Sequence, residues 1–370
     1  MSVVLKHDIK IDIDVPQKDG TVRRIGLHEL DSVADVPRLA AISRRVAVAD
    51  TADLIFRMFV KEMQGDADLG KLSLRIPCLG PKYLPGLRQM FSQPDVVDMM
   101  QKYVAASDKL QQRAIRKQVV DTLGKYVEQT IKAKDLQFNF SKFKYVEKTS
   151  VVDKIKQGAH KVTATMMGLD PRDPFVMAAY MIWSDNVSKR DEEPRKAYWL
   201  LVRDDKGALV GMTFISAAQL DDKLINAKII GHSGQILDPS VQGQGYVSAI
   251  KSVMTDFMYD NMDATVARES WFATTCDEFN ENSQGLQVKS GAQLLRDTDG
   301  NVVIESGKMH WYASYNDILR SDLMQRAQEQ NIEYSVKLSL GNINQYKKRV
   351  GHTQRYPQVN AHVQGVSYDR

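Results

Sequence analysis

Cysteine is nearly missing from this sequence. Its 370 residues hold two, Cys78 and Cys276, far apart in the chain, which argues against a disulfide framework and against a cysteine-based zinc cluster. No metal site is expected, and the setting expected is reducing and cytoplasmic. Long apolar runs are absent too, because Lys, Arg, Asp or Glu interrupts each one short of membrane-spanning length; no membrane partner is expected. The opening Met1-Ser2-Val3-Val4-Leu5-Lys6-His7-Asp8 carries no long apolar stretch and no small-residue cleavage site, so a secretory leader is not expected. Net charge is only +4, too mild to point to a polyanionic partner. Internal repeats and low-complexity tracts are lacking as well.

What remains reads as a globular chain with a real core: 43% hydrophobic and 26% charged residues. Its length exceeds one typical domain and predicts two. From Val3 to Val15, Ile9, Ile11 and Ile13 alternate with Asp8, Lys10, Asp12 and Asp14, the period of a half-buried strand. A turn at Gln17 to Gly20 allows a return strand at Thr21 to Leu27. Helical periodicity follows from Val36 to about Glu62, an irregular Pro/Gly stretch from Pro77 to Gly86, and one or two helices from Pro94 to about Lys134. The last is basic, with Arg113, Arg116, Lys117, Lys125 and Lys132. A solvated helix face accounts for these; nucleic acid is not expected, since only Tyr126 offers an interleaved aromatic. Phe138, Phe140 and Phe143 alternate as strands would at a domain boundary, and helices are expected at Lys154 to Met167 and Pro174 to Trp183.

The most informative stretch comes next. An apolar strand from Ile229 to Leu237 stops at Asp238-Pro239; a turn carries Gly243 and Gly245; then Val247, Ile250, Val253, Met254, Phe257 and Met258 recur at helical spacing. A strand, a glycine turn and a helix N-terminus together present unpaired N–H groups to an anion, and glycine lets backbone approach a phosphate closely. A dinucleotide fingerprint needs a third glycine, and Ser248 stands in its place.

The pattern Leu237-Asp238-Pro239 followed by Gln242-Gly243-Gln244-Gly245-Tyr246-Val247 resembles the pyrophosphate loop of the GNAT superfamily, the CoA-dependent N-acyltransferases. Val247 stands where that family has Gly or Ala. The flanks are similar to the family too. A hairpin is expected from Ala197 to Arg203 and Ala208 to Ile215 about Asp204 to Gly207, and a strand from Ser270 to Cys276. Asn280, Ser283, Leu286, Lys289 and Gly291 match the family's next helix in spacing, and a last hairpin runs from Gln293 to Tyr312. The resemblance covers roughly residues 143–320.

It implies an α+β fold, a GNAT-like central mixed sheet flanked by helices, behind an N-terminal mainly helical domain. The division expected is 1–140, 141–320, and 321–370 as a C-terminal helix, a strand and a basic tail, mobile or ordered by a partner. The activity implied is that of an N-acetyltransferase with acetyl-CoA as cosubstrate and an amine acceptor, on a small molecule or a protein. In that reading Gln242, Gly243, Gln244, Gly245, Tyr246 and Val247 hold the pyrophosphate, main chain of Gln235, Ile236 and Leu237 pairs with the pantetheine arm, and Asn280 and Ser283 approach it from the other side. The family's tyrosine acid falls at Gln287; Tyr312, Tyr246, Ser283 and Cys276 are substitutes, and His232 and Glu269 are base candidates. Asn280 also suits a helix N-cap. Val247 and Gln287 favour an alternative, a non-catalytic GNAT-like module, with a protein partner on residues 1–140 or on the basic tail. A nucleic-acid-binding protein is a third reading.

Overall fold

The structure, a computed structural model, describes residues 9–17, 19–137, 150–188, 197–216, 219–230, 233–260, 264–305, 307–340, 342–351 and 367–368. The phenylalanine strands expected at 138–143 lie outside them, as does His232. The chain opens with β1 (Ile9–Pro16) and β2 (Val22–Glu29), an antiparallel pair in which Ile9, Ile11 and Ile13 are buried on one face as the alternation requires. Helices α1 (Val36–Met63), α2 (Leu69–Leu72), α3 (Leu84–Phe91), α4 (Pro94–Ala105) and α5 (Lys109–Thr130) follow. The Asp108 side chain caps α5 by accepting from the N–H groups of Leu110 and Gln111. Its expected solvated face is partly tethered, since Arg116 forks onto Asp53 of α1 at 2.7 Å.

After α6 (Val151–Met166) and α7 (Pro174–Ser188) come β3 (Ala197–Arg203) and β4 (Leu209–Ser216), joined through the expected Asp204 to Gly207 turn. Then run β5 (Leu220–Asp222), β6 (Ala227–Ile230), β7 (Ser233–Leu237), α8 (Tyr246–Asp260), α9 (Ala264–Glu269), β8 (Ser270–Asp277) and α10 (Glu281–Lys289). The chain continues through β9 (Gln293–Arg296), β10 (Ile304–Glu305), β11 (Lys308–Ala313), α11 (Tyr315–Leu319), α12 (Asp322–Glu329), β12 (Glu333–Leu340), β13 (Asn342–Arg349) and β14 (Ser367–Tyr368). Among the described residues no helix is long and apolar enough to cross a membrane.

The architecture is α+β, with two sheets. The first has seven strands in the order β13-β12-β1-β2-β3-β4-β7, antiparallel throughout. The second runs β14-β9-β11-β8-β6-β5, with β10 beside β11, and is mixed through the parallel pair of β6 and β8. The first sheet takes β1 and β2 from the expected N-terminal segment and β12 and β13 from the expected C-terminal one. The sequence division at 140 and 320 therefore cuts across its hydrogen-bond ladder. Residues 342–349, expected in a mobile tail, pair with β12 along its length; Lys347 and Arg349 meet Glu333, and Lys348 meets Asp260.

Two cores result. One face of the first sheet (Trp199, Leu201, Met212, Phe214, Ile236) joins α1, α5 and α7, while the other (Tyr198, Leu200, Val202, Leu237) joins α8. At roughly 2 kcal/mol per fully buried aliphatic side chain, each core stabilises its own face of the sheet. The chain on which both converge is the one that leads into the glycine turn.

Candidate functional site

Sequence reading makes Ile229 to Leu237 one strand; in the structure it is two, and this break creates the site. β6 runs parallel to β8, with Ile230 opposite Phe272. From Ser233 the chain belongs to the other sheet, and β7 pairs antiparallel with β4, Gly211 opposite Leu237. Among the described residues no strand covers the other edge of β7. A cleft therefore opens between β7 and the continuation of β8, Ala273 to Asp277.

The ladder decides which groups face the cleft. Asp238 N–H donates to Val210 O at 2.8 Å, so Asp238, Ile236 and Gly234 point their peptide groups at β4. Antiparallel pairs alternate, which turns the main chain of Gln235 and Leu237 outward to the open edge. Ile236 instead puts its side chain into the core, 3% exposed. Gln235 Oε1 is buried and accepts no hydrogen bond among the described residues.

β7 ends in a braced turn. Asp238 caps the short helical turn Pro239–Val241 by accepting from Ser240 N–H at 3.0 Å, and it takes Arg45 Nε of α1 at 2.9 Å. Burial pushes its carboxyl up, but the Ser240 bonds and Arg45 outweigh that and hold it below the ordinary range. Gln242 Nε2 donates to Leu237 O, and Gln244 Nε2 to Ser240 O. Gly243 and Gly245 have φ of +77° and +83°, a region costly for other residues, with nothing within 4 Å of where a Cβ would sit. α8 then starts at Tyr246, and its first N–H groups have no intrahelical acceptor. Tyr246 is buried beneath Arg23, whose guanidinium lies 5.6 Å from the ring centroid and donates to Gln244 O at 2.7 Å. Val247 packs against the core under the helix, so its bulk is taken up there. Beside the turn is a cavity of about 550 Å³ whose lining includes Gln244, Gly245 and Ser248, the cations Lys289 and Arg326, and the carboxylates Asp19 and Asp322.

Just past β8, Asn280 is the N-cap of α10, its side chain accepting from Ser283 N–H at 3.0 Å. One turn on, Gln287 is buried, and its Oε1 accepts from Lys251 Nζ of α8 at 2.7 Å. Lys251 is 4% exposed, and among the described residues no carboxylate lies within ion-pair reach of it. Burial pushes its ammonium down to about 7, opposed weakly by Cys276. Cys276 of β8 accepts from the Trp311 indole at 3.2 Å and neighbours Ser283, while burial holds its thiol up.

The other candidates lie elsewhere. Tyr312 is 1% exposed in a small core with Ile225, Ala273 and Leu295 on the opposite face of β8 and β11, and its hydroxyl donates to Asp222 at 2.8 Å. Glu269 is exposed at the end of α9, just before β8. Ser283 sits with Gln287 and Cys276, its Oγ 3.5 Å from Gln287 Nε2. Gln235, Leu237 and Gln242 to Val247 thus follow one another along β7 and its turn, Asn280 and Ser283 open α10 after β8, and Tyr312 lies in a separate small core.

Sequence reasoning passed over Lys251, Arg23 and Arg45. Lys251 had a signal: Val247, Lys251, Met254 and Met258 share one helical stripe, so the lysine stands among buried residues. The arginines had none, because their partners are remote in sequence.

No family model matches the chain, and a search of curated proteins returns no match. Among solved structures, Mycobacterium smegmatis RimJ in complex with CoA-disulfide aligns at TM-score 0.32 and 13% identity, over 50% of this chain and 88% of that one. Mutant forms of the spermidine/spermine N-acetyltransferase SpeG from Vibrio cholerae align at 0.27 and 11%, over 44% and 92%. The microcin C7 self-immunity acetyltransferase MccE in complex with acetyl-CoA and AMP aligns at 0.27 and 15%, over 38% and 71%. Every one of these TM-scores is below 0.5, so the functional reading of the site rests on its geometry.

Proposed function

We propose that this chain is an N-acyltransferase of GNAT type that binds an acyl-CoA, acetyl-CoA by preference, and passes the acyl group to an amine by direct attack in a ternary complex. One observation carries the reading. A single strand, β7, has an edge that no strand covers among the described residues, and an αL-glycine turn with a helix N-terminus at its end. An extended amide-bearing arm joined to a pyrophosphate needs that sequence of partners. The pantetheine amides suit the outward main chain of Gln235 and the Leu237 N–H, Leu237 O being engaged by Gln242 Nε2, and an amide N–H suits the orphan Gln235 Oε1. The pyrophosphate suits the Gly243 to Val247 N–H groups. The nucleotide end suits the neighbouring cavity, where Lys289 and Arg326 supply cations for its remaining phosphate.

In the transfer itself the scaffold supplies position and charge: it holds nitrogen and thioester carbon together and offers N–H groups to the developing oxyanion. A second reading, a CoA-binding module without turnover, is favoured by the capture of Tyr312 by Asp222.

Calorimetric titration of acetyl-CoA and desulfo-CoA into wild type and Gly245→Glu tests the site. Binding by wild type is expected, with a loss of at least about tenfold, or 1.4 kcal/mol, in a variant whose circular dichroism stays native. No binding by wild type sinks the reading. Release of free CoA in a screen of amines then decides between enzyme and module.

A further inference from the structure

Fifteen large apolar residues stand exposed among the described residues, and six of them, Val151, Val152, Ile155, Val162, Met166 and Met167, crowd onto α6 and its C-cap. That concentration makes the patch a property of one helix, unlike the apolar residues scattered singly over any surface. The helix is amphipathic in the reverse sense. Its inner face, toward α7, carries Gln157 and His160, both half-buried, with His160 against the Tyr180 ring at 6.1 Å; Ala164 is its one fully buried residue. About half a turn away, Val152, Ile155, Ala159, Val162 and Met166 follow one another at steps of three and four, and the four large ones are 61–83% exposed. A surface helix ordinarily turns such a stripe to the core. Steps of three and four are the seam by which one helix receives another.

We infer that α6 is a dimerisation helix whose occupant is α6 of a second copy of this chain, packed antiparallel across a two-fold axis. The borders of the stripe select that occupant. They are Val151, Lys156, Gly158, Thr163 and Thr165, with one charge among them. A partner helix chosen by opposite charge needs charged borders, and a helix lying on a membrane carries Trp, Phe or Leu in its apolar face and a lysine-rich polar one; α6 has none of these. Self-pairing needs a stripe that complements itself, and this one does. With the axis crossing between positions 160 and 161, Ile155 lies opposite the partner's Met166 and Ala159 opposite the partner's Val162. Each small residue thereby meets a branched one and the flexible Met fills the end of the seam. The same register sets Lys156 opposite the partner's Thr163, so no like charges meet. From Ile155 to Met166 the seam runs about 17 Å, a contact at the small end of those that hold proteins together, so the dimer is a reversible one. The inference is independent of the acyltransferase reading.

Sedimentation equilibrium of the full chain over a concentration series tests it, with wild type, Ile155→Glu, Met166→Lys and an equal mixture of the two variants. Wild type is expected to pass from monomer to dimer with a midpoint of about 10 μM. Each variant alone weakens the dimer at least about tenfold. The mixture recovers at least about fivefold of that loss, because the antiparallel register sets the new carboxylate at 155 opposite the new ammonium at 166 and restores Ile155 against Met166 at the other end. Both positions are exposed in the monomer, and circular dichroism reports whether each variant keeps its fold. A wild type still monomeric at about 500 μM overturns the proposal even where a variant misfolds. If that monomer floats with anionic phosphatidylglycerol vesicles, the stripe belongs to a membrane surface instead. A dimer that neither substitution weakens places the contact elsewhere on the chain, and variants that weaken it without recovery on mixing overturn the antiparallel register.

Discussion

Replacing Lys251 by methionine removes a buried charge at nearly constant volume, and the structure fixes how the effect varies with pH. Burial lowers the lysine from 10.5 to about 7 in the folded chain. Between those values the unfolded chain holds a proton that the folded chain lacks, so stability rises with pH through that window. Below about pH 7 the cost of charging Lys251 is fully present. At about 1.4 kcal/mol for each pH unit, it is at most about 5 kcal/mol. Against this, methionine leaves Gln287 Oε1 buried without its donor, which costs about 2 kcal/mol. Lys251→Met is therefore expected to be more stable than wild type by up to about 3 kcal/mol near pH 6. The two should match near about pH 9, and above the ordinary lysine value the variant should be weaker by about 2 kcal/mol. Equilibrium urea unfolding of both proteins at a series of pH values measures this directly. A stability difference that stays constant across the series refutes the reasoning, because Lys251 would then titrate in the folded protein as it does in the unfolded chain.

Two further substitutions separate roles that coincide in one side chain. Asn280→Ser keeps an oxygen to cap α10 while removing the amide donors, so urea unfolding should shift by less than about 0.5 kcal/mol while CoA affinity falls about threefold; Asn280→Ala should lose about 1 kcal/mol of stability as well. Equal affinity in all three proteins would show Asn280 to be a cap alone. Tyr312→Phe removes one 2.8 Å donor of the Asp222 carboxylate and leaves the Leu224 N–H, and should lower the unfolding free energy by about 1 kcal/mol; an unchanged urea midpoint would show that the hydroxyl contributes nothing to that small core.

Much of this molecule was legible residue by residue where the signal is local. The alternation of Ile9, Ile11 and Ile13, the helix from Val36, the Asp204 to Gly207 hairpin and the glycine turn before Tyr246 are each set by neighbours within a few positions. What escaped is what depends on remote partners. Hydrophobic pattern assigns a face to a strand but not the strand beside it, so the pairing of β1 with β12 was invisible. The break between β6 and β7 was hidden because both halves are apolar; only their different neighbours, Phe272 for Ile230 and Thr213 for Gln235, separate them. Tyr312 illustrates the same limit. It lies next to Trp311, and which of the two faces the α8 side depends on how β11 sits against β8. Gln287 and Lys251 are 36 positions apart, and neither is informative without the other.

The pairing of Ile9 with Leu338 has a consequence for how the chain is made. One flank of β1 hydrogen-bonds to β2 within the same hairpin, but the other waits for a strand 329 positions later. At about 5–20 residues per second of synthesis, that flank stays uncovered for roughly 15–65 seconds. Through this interval the ribosome carries a chain whose first sheet has an open, isoleucine-rich border, the kind of edge that recruits strands from other molecules. The alternating Asp12 and Asp14 on that border put charge where such recruitment would begin, and the arrival of β12 ends the exposure.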